Sequence, residues 1–412
     1  MRPARIDASR QQRLGNATDV LRQVWSTESF TGSDVIAATG LTRSTVLGLC
    51  ADLLARGWIQ ELDDTRRAGQ YSKGRPARRY GFDSHAGHVV GVDAGQHRIT
   101  ASVADLDGSI LASAVEIDPG GEISPAKRRR MVLGAIRAAL EQRGEHPGPV
   151  LALVIGVPAP VDAEGVSPDG HEGYWSRMNP GLAQAASSLA QRVVVDNDAN
   201  LAAVAEGAVG AGRDLRSFAA LLSGERFGAG LIVDGALLRG RLGGAGELRL
   251  LELVEGVKGS HGLGHLARDL IRQAIEDGEV PCDSELPQSV ATGEEHPDAI
   301  AVFAAARAGD EVAIGIVDEL AERLARVCAV IATMLDLERI VVSGAIAPAL
   351  DHLVHEATRR LTEHVHPPVP TIVASSLGGD VVRAGALHRA LAIVQEDPLA
   401  FTVGRQATHS TA

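Results

Sequence analysis

Arg43, Ser44, Thr45, Leu47 and Gly48 put short hydroxyl donors, one guanidinium and a bare stretch of backbone side by side. On a helix, that combination suits hydrogen bonding to base edges in a DNA groove. Further along, Arg66, Arg67, Lys73, Arg75, Arg78 and Arg79 fall between Thr65 and Phe82 without a carboxylate. Backbone phosphates attract such a cluster whatever the base sequence. Within it Gly74, Arg75 and Pro76 make a narrow, extended segment from which Arg75 can enter a minor groove. The competing reading is a solvated linker, charged for solubility. A second group, Asp196, Asn197, Asp198 and Asn200, gathers carboxylates and amides at what reads as a strand-to-helix junction. A helix N-cap wants such residues with or without further chemistry.

The elements that must position these groups are legible from spacing. In LTRSTVLGLCADLLARGWIQEL, Thr42 is placed to cap a helix and Gly57 to end it, with Val46, Leu49, Cys50, Leu53 and Leu54 as the apolar stripe. A helix over Ser33–Thr39 precedes it, with Gly40 at the turn, so the two form a helix-turn-helix. From His88 the texture changes. Strands are predicted at 89–92, 99–106 and 110–117, a helix at 125–143 and an apolar strand at 150–157. A short strand at 193–195 delivers the Asp/Asn cluster to a helix running to about Val209. Strands at 218–222 and 230–234 bracket a glycine-containing turn, and another at 339–343 follows a long amphipathic helix, Glu311 to Leu335. The alternation implies mixed α/β architecture.

Composition bounds the class. The chain has 412 residues, 45% of them hydrophobic and 22% charged, enough for two to three domains with sizeable cores. Its formal net charge is −12, yet residues 1–82 hold 13 Lys and Arg against 8 Asp and Glu, a surplus of five that leaves −17 for the rest. Cys50, Cys282 and Cys328 are too few and too scattered for a disulfide framework or a four-thiolate zinc site, which fits a reducing cytoplasm. No segment has signal-peptide or membrane-span character, so a soluble cytoplasmic protein is expected.

Six strings in order, GVDAG, VPAPVD, DNDAN, GERFGAG, GGAGE and VVSGA, resemble the ROK family, which groups sugar-responsive repressors with sugar kinases. The resemblance covers essentially the whole chain. It implies an α/β protein with an N-terminal winged helix-turn-helix and a two-lobed, actin-like ATPase (ribonuclease H-like) domain. The boundaries are then 1–82 for the head with its basic wing and linker, and 83–195 for lobe one. A helix over 381–396 returns to lobe one, lobe two spans 196–380, and 397–412 is a disordered tail. By the same resemblance Asp198 matches the general base of the family's kinases, and Asn197 and Glu247 match sugar contacts.

Phosphoryl transfer also needs backbone amides wrapped closely around phosphate, and here the sequence departs from the family twice. After Asp93, Ala94 and Gly95 the kinases carry Gly and Thr, whereas this chain has Gln96, His97 and Arg98. Where the kinases read Gly-Thr-Gly, it has Gly224, Glu225 and Arg226 before Phe227 and Gly228. A carboxylate about 4 Å from a phosphate charge costs about 4 kcal/mol at an effective dielectric near 20, roughly a thousandfold in affinity. The expectation is a vestigial nucleotide site, with Glu225 and Arg226 as an ion pair in its place. Family members often carry a zinc-ligating His three residues after the Glu of GGAGE; here that position is Leu250, and residues 251–270 contain no Cys. His261 and His265 stand at metal-binding i, i+4 spacing but lack further ligands, and are assigned to a solvated helix start. No metal and no cofactor are expected.

The resemblance therefore points to a transcriptional regulator, a repressor, bound to double-stranded operator DNA as a homodimer or tetramer and controlled by a sugar or sugar derivative between the lobes. The alternatives are an active sugar kinase with an added DNA-binding head, and a ligand-independent regulator that uses the kinase-like part for dimerisation alone.

Overall fold

The computed structural model describes residues 8–62, 78–118, 120, 123–144, 148–170, 173–257, 259–281, 284, 286 and 298–404. The N-terminal unit runs α1 (Ala8–Val24), β1 (Phe30–Thr31), α2 (Gly32–Thr39), α3 (Arg43–Arg56), β2 (Ile59–Leu62) and β3 (Arg79–Phe82). Thr31 caps α2 in a reciprocal box with Asp34, and Gly40 closes it in the left-handed conformation. Thr42 caps α3 by accepting from the Thr45 amide, and Gly57 ends it at φ +84°. Val46, Leu49, Cys50 and Leu53 are buried, as their spacing requires, and the three strands form a small antiparallel sheet in the order β1-β3-β2.

Next come β4 (His88–Ala94), β5 (Arg98–Ala104), β6 (Ile110–Ile117), α4 (Pro125–Gln142), β7 (Val150–Val157), α5 (Tyr174–Met178), α6 (Leu182–Ala185), β8 (Arg192–Asn197) and α7 (Asp198–Val209). They are followed by β9 (Phe218–Ser223), β10 (Phe227–Val233), β11 (Ala236–Leu238), α8 (Leu263–Glu276), α9 (Ala299–Ala308) and α10 (Glu311–Leu335). The chain continues through β12 (Arg339–Ser343), α11 (Asp351–His364), β13 (Thr371–Ala374) and α12 (Val381–Glu396). Sheet one has the order β6-β5-β4-β7-β8 and sheet two the order β11-β10-β9-β12-β13. In each sheet the first three strands form an antiparallel meander and the last two add in parallel.

Burial on both faces explains the near-continuous apolar strands. Along β7, Leu153, Ile155 and Val157 pack with α4, while Ala152 and Val154 join the core that holds α7, α12 and one face of sheet two. The opposite face of sheet two packs against α8 to α11. Helices α7 and α12 thus lie between the sheets. They approach so closely that a Cβ on Gly385 would sit 1.8 Å from the Leu201 carbonyl oxygen, which only glycine permits.

The expectation of a disordered tail from 397 is overturned for residues 397–404. Pro398–Ala400 form a 3-10 turn, and Phe401 and Val403 are buried at 8% exposure in the core shared by the N-terminal unit and sheet one. Gln191 exchanges two hydrogen bonds with the Thr402 backbone, and the Gly404 amide donates to Ala86 at 2.8 Å. Two apolar side chains at alternate positions bury enough surface to order a segment that reads as polar. Residues 405–412 lie outside the described set. The N-terminal unit is fastened to the rest by the same region. Trp25 Nε1 donates to Leu106, and Arg22 donates to the last carbonyls of α12, Gln395 (3.0 Å) and Glu396 (2.5 Å).

Candidate functional site

The junction of β8 and α7 carries Asn197 and Asp198. Asn197 is the N-cap of α7: its Oδ1 accepts from the Asn200 amide at 3.0 Å, and its Nδ2 donates to Ala159. The capping alternative therefore describes Asn197, whose amide is engaged within the protein. Asp198, first residue of α7, accepts the Ala199 amide on one carboxylate oxygen only. Beside it stand Asp93, at the end of β4, and Glu247. The latter is held by an antiparallel bridge between Gly228 and Glu247, and by Gly246 at φ +84°, where a Cβ would collide with the Ala229 carbonyl.

Withdrawal from water, Asp93 and then Glu247 push Asp198 up to about 8. Desolvation carries Asp93 to about 7 against the opposing pull of Arg128, and desolvation raises Glu247, a residue that is itself exposed. Three carboxyls with this electrostatics favour shared protons and hydroxyl ligands over an approaching anion. Arg128, 1% exposed, donates to Gly95 (2.7 Å) and to Ala94, bracing the turn after Asp93. Arg239 makes two short bonds to Asp196, 2.6 and 2.7 Å, joining the end of β8 to the segment after β11.

Side chains of the two altered turns contact neighbouring elements. In the first, Gln96 accepts a hydrogen bond from Tyr174 at 2.8 Å, and His97 is exposed. In the second, Glu225 faces His265 (3.5 Å) and Arg268 (3.8 Å), while Arg226 donates to Ser260. The expected Glu225–Arg226 ion pair is therefore replaced by contacts from Glu225 to α8 and from Arg226 to Ser260 just ahead of it. His261 and His265 stack at 4.5 Å and are half-buried, so they are not on the solvated surface expected of them. Among the described residues no group of three or more His, Cys, Asp or Glu could hold a metal. Tyr174, Arg128 and Arg239 were invisible to motif reasoning, and no local signal marks them.

In the N-terminal unit, Arg43 and Ser44 are exposed at the start of α3 and Leu47 is 46% exposed. Thr45 is half-buried and shares a hydrogen bond with the cap hydroxyl of Thr42 at 2.8 Å. Gly48 is not bare: the guanidinium of Arg13, paired with Asp52 at 2.7 Å, lies 4.0 Å from where its Cβ would be. Arg79 donates to Ser29 and Arg78 faces Glu61 at 3.5 Å. Lys73, Gly74, Arg75 and Pro76, like Arg66, Arg67 and Cys282, lie outside the described residues.

The ROK family profile matches residues 89–265 and 278–393, more than half of the chain. This chain belongs to the ROK family. Among relatives, the glucokinase of Streptomyces coelicolor is 28% identical over 329 residues, 76% of this chain and 99% of that enzyme. The DNA-binding transcriptional dual regulator NagC of Escherichia coli is 23% identical over 327 residues, 75% of each chain. The crystal structure of a ROK transcriptional regulator, a homologue of the E. coli Mlc protein, superposes with a TM-score of 0.72 at 22% identity. That match covers 94% of this chain and 98% of the other, so the shared fold extends beyond the part common with the glucokinase. The family thus contains enzymes and regulators built on one sugar-kinase-like α/β fold, and among the described residues no helix is long and apolar enough to cross a membrane.

Proposed function

We propose that this ROK protein is a DNA-binding transcriptional regulator, a repressor, whose kinase-like part senses a sugar or sugar derivative and does not phosphorylate it. Residues 1–82 act as a winged helix-turn-helix, 83–195 with α12 as lobe one, and 196–380 as lobe two. The protein works in the cytoplasm on operator DNA as a homodimer or tetramer. The observation that carries this reading is the N-terminal unit: a capped α2–turn–α3 pair on a three-stranded sheet, with Arg43 and Ser44 exposed at the start of α3. Phosphate contacts from Arg78 and from Lys73, Gly74, Arg75 and Pro76 supply affinity, and the exposed Arg43, Ser44 and Leu47 supply discrimination, with Thr45 held by the cap and Gly48 beneath Arg13.

The connection between cleft and head supports control by a ligand. Near its start α12 packs Val382 against Gly156, and Arg383 donates to Ser102 at 3.0 Å. Its last carbonyls receive Arg22 of α1. A rigid helix running from cleft to head turns lobe closure into a change in the spacing of two heads, which moves half-sites out of register. Loss of kinase activity is supported by the two turns, where Gln96, Glu225 and Arg226 replace small residues. The retained Asp198 carboxyl is the one observation that favours a kinase.

Selection of duplexes from a random pool by the full-length protein, followed by fluorescence anisotropy across a salt series, tests the DNA reading. The expected result is a two-fold-symmetric site whose binding weakens about tenfold with Arg43→Ala; equal affinity for every sequence would sink the proposal. A coupled ADP-release assay across sugars tests the rest. Turnover that disappears in Asp198→Asn would make the protein an enzyme.

A further inference from the structure

We infer that α1 is a second DNA-contacting element of the head, in which Arg13 grips a backbone phosphate beside the groove that α3 enters. This rests on the DNA-binding reading above and deepens it.

Helix α1 is longer than its packing requires. Its buried apolar residues, Ala17, Val20, Leu21 and Val24, recur at i, i+3, i+4 and i+7, and the first of them comes well over two turns after the helix starts at Ala8. Ahead of them Gln11, Gln12, Arg13, Leu14 and Gly15 are all exposed, so this end of the helix projects past the core of the head. Core packing does nothing to hold it. Its charge is one-sided as well: residues 1–18 hold Arg2, Arg5, Arg10 and Arg13 against Asp7 alone. A segment of that composition is attracted to the DNA backbone whatever the sequence.

The place of Arg13 is set by α3. Val46, Leu49, Cys50 and Leu53 are buried, and at about 100° per residue the opposite pole of the helix runs through Ser44, Gly48, Ala51 and Ala55. All four are small, so a groove comes closest on this side. Asp52, one turn on from Gly48, stands at the edge of that pole. Arg13 reaches the same edge from α1: its Nη2 donates to Asp52 at 2.7 Å and lies 4.0 Å from where a Gly48 Cβ would be. A helix lying in the major groove has base edges beneath its pole and the sugar-phosphate backbone along its flanks. Phosphate is therefore the group that Arg13 meets.

The ion pair positions Arg13 without using it up. The two side chains are 60% and 45% exposed, and among the described residues the bond to Asp52 is the only one that the Arg13 guanidinium makes. Its other N–H groups are available to an oxyanion, in the fork geometry that suits phosphate. An exposed pair of this kind adds little to stability, so holding the guanidinium over the edge of α3 is its main effect. Arg22, nine residues and about 14 Å along the same helix, donates to the end of α12. One helix thus joins the phosphate contact to the lobes.

Fluorescence anisotropy with the full-length protein, on the selected duplex and on a scrambled duplex of equal length, tests this across a salt series. Arg13→Ala should weaken binding to both by a similar factor, about five- to tenfold for each head bound, because a phosphate contact carries no sequence information. The slope of log Kd against log salt should fall by about one for each head, and Arg13→Lys should keep that slope. Urea midpoints followed by circular dichroism should stay at the wild-type value, which separates a lost contact from a loosened head. The same loss of slope should appear when Arg13→Ala is added to Asp52→Asn. No effect in that background would show that Arg13 only neutralises Asp52, and would overturn the inference. Unchanged affinity and slope in Arg13→Ala, with Arg43→Ala still weakening binding, would also overturn it and leave the DNA reading intact. Absence of wild-type binding to any duplex would overturn both.

Discussion

The bidentate pair between Arg239 and Asp196 is the contact whose loss the structure prices most directly. The Asp196 side chain is 2% exposed, and Arg239 meets both its oxygens at 2.6 and 2.7 Å. Removing one member of a buried pair generally costs about 3–5 kcal/mol, because a charge remains without compensation. Two features lower that figure here. The Arg239 side chain is 40% exposed, so water can enter where the guanidinium stood. Asp196 also keeps the Asn197 amide at 2.9 Å and the Asn200 side-chain amide at 3.4 Å. Arg239→Met, which keeps the apolar stem, should therefore destabilise the protein by about 2–3 kcal/mol. Equilibrium urea unfolding reads the change. Tryptophan fluorescence, dominated in the head by Trp25 and Trp58, should be compared with circular dichroism to check that head and lobes unfold together. Because Asp196→Asn removes the same interaction, the double variant should lose clearly less than the sum of the singles. A loss below about 0.5 kcal/mol, or strict additivity, would show that the pair is solvated in solution and does not hold the end of β8 to the segment after β11.

The cleft carboxyls predict a pH dependence. With Asp198 near 8 in the folded chain and near the ordinary carboxylate value when unfolded, the native state holds the extra proton between about pH 4 and 8, so stability falls as pH rises through that window. Asp198→Asn should accordingly leave stability unchanged at pH 4 and raise it by about 1–2 kcal/mol at pH 8, measured by urea midpoints at both; a gain at pH 4 alone would reverse the assignment. Arg22→Ala removes two hydrogen bonds to the end of α12 and should cost about 1 kcal/mol while weakening the response of DNA affinity to ligand; an unaltered response in anisotropy titrations would mean that coupling runs elsewhere. Phe401→Ala should destabilise by about 3 kcal/mol if the segment is packed in solution as in the structure, and a neutral substitution would return it to a free tail.

What the sequence determined by itself was everything encoded within a turn or two of chain. Thr42 and Gly57 mark the ends of α3, the apolar stripe marks its buried side, and the apolar runs mark β4, β7 and β9 because a strand buried on both faces has no polar positions to spare. The order of six short strings was enough to recognise the family, and the substitutions at two of them marked where the chain departs from its kinases. Partner choice over longer separations was decided by the tertiary structure. Glu225 turned to His265 and Arg268 rather than to its neighbour, Arg13 of α1 came to lie over Gly48 of α3, and Arg239 found Asp196 at the end of β8. Phe401 and Val403 became core residues only because α1, Gly57 and sheet one leave a place for them. Caps and periodicities are satisfied by neighbours in sequence, so they can be read locally. Ion pairs and docked segments depend on which surfaces packing brings together, and that is a property of the whole fold.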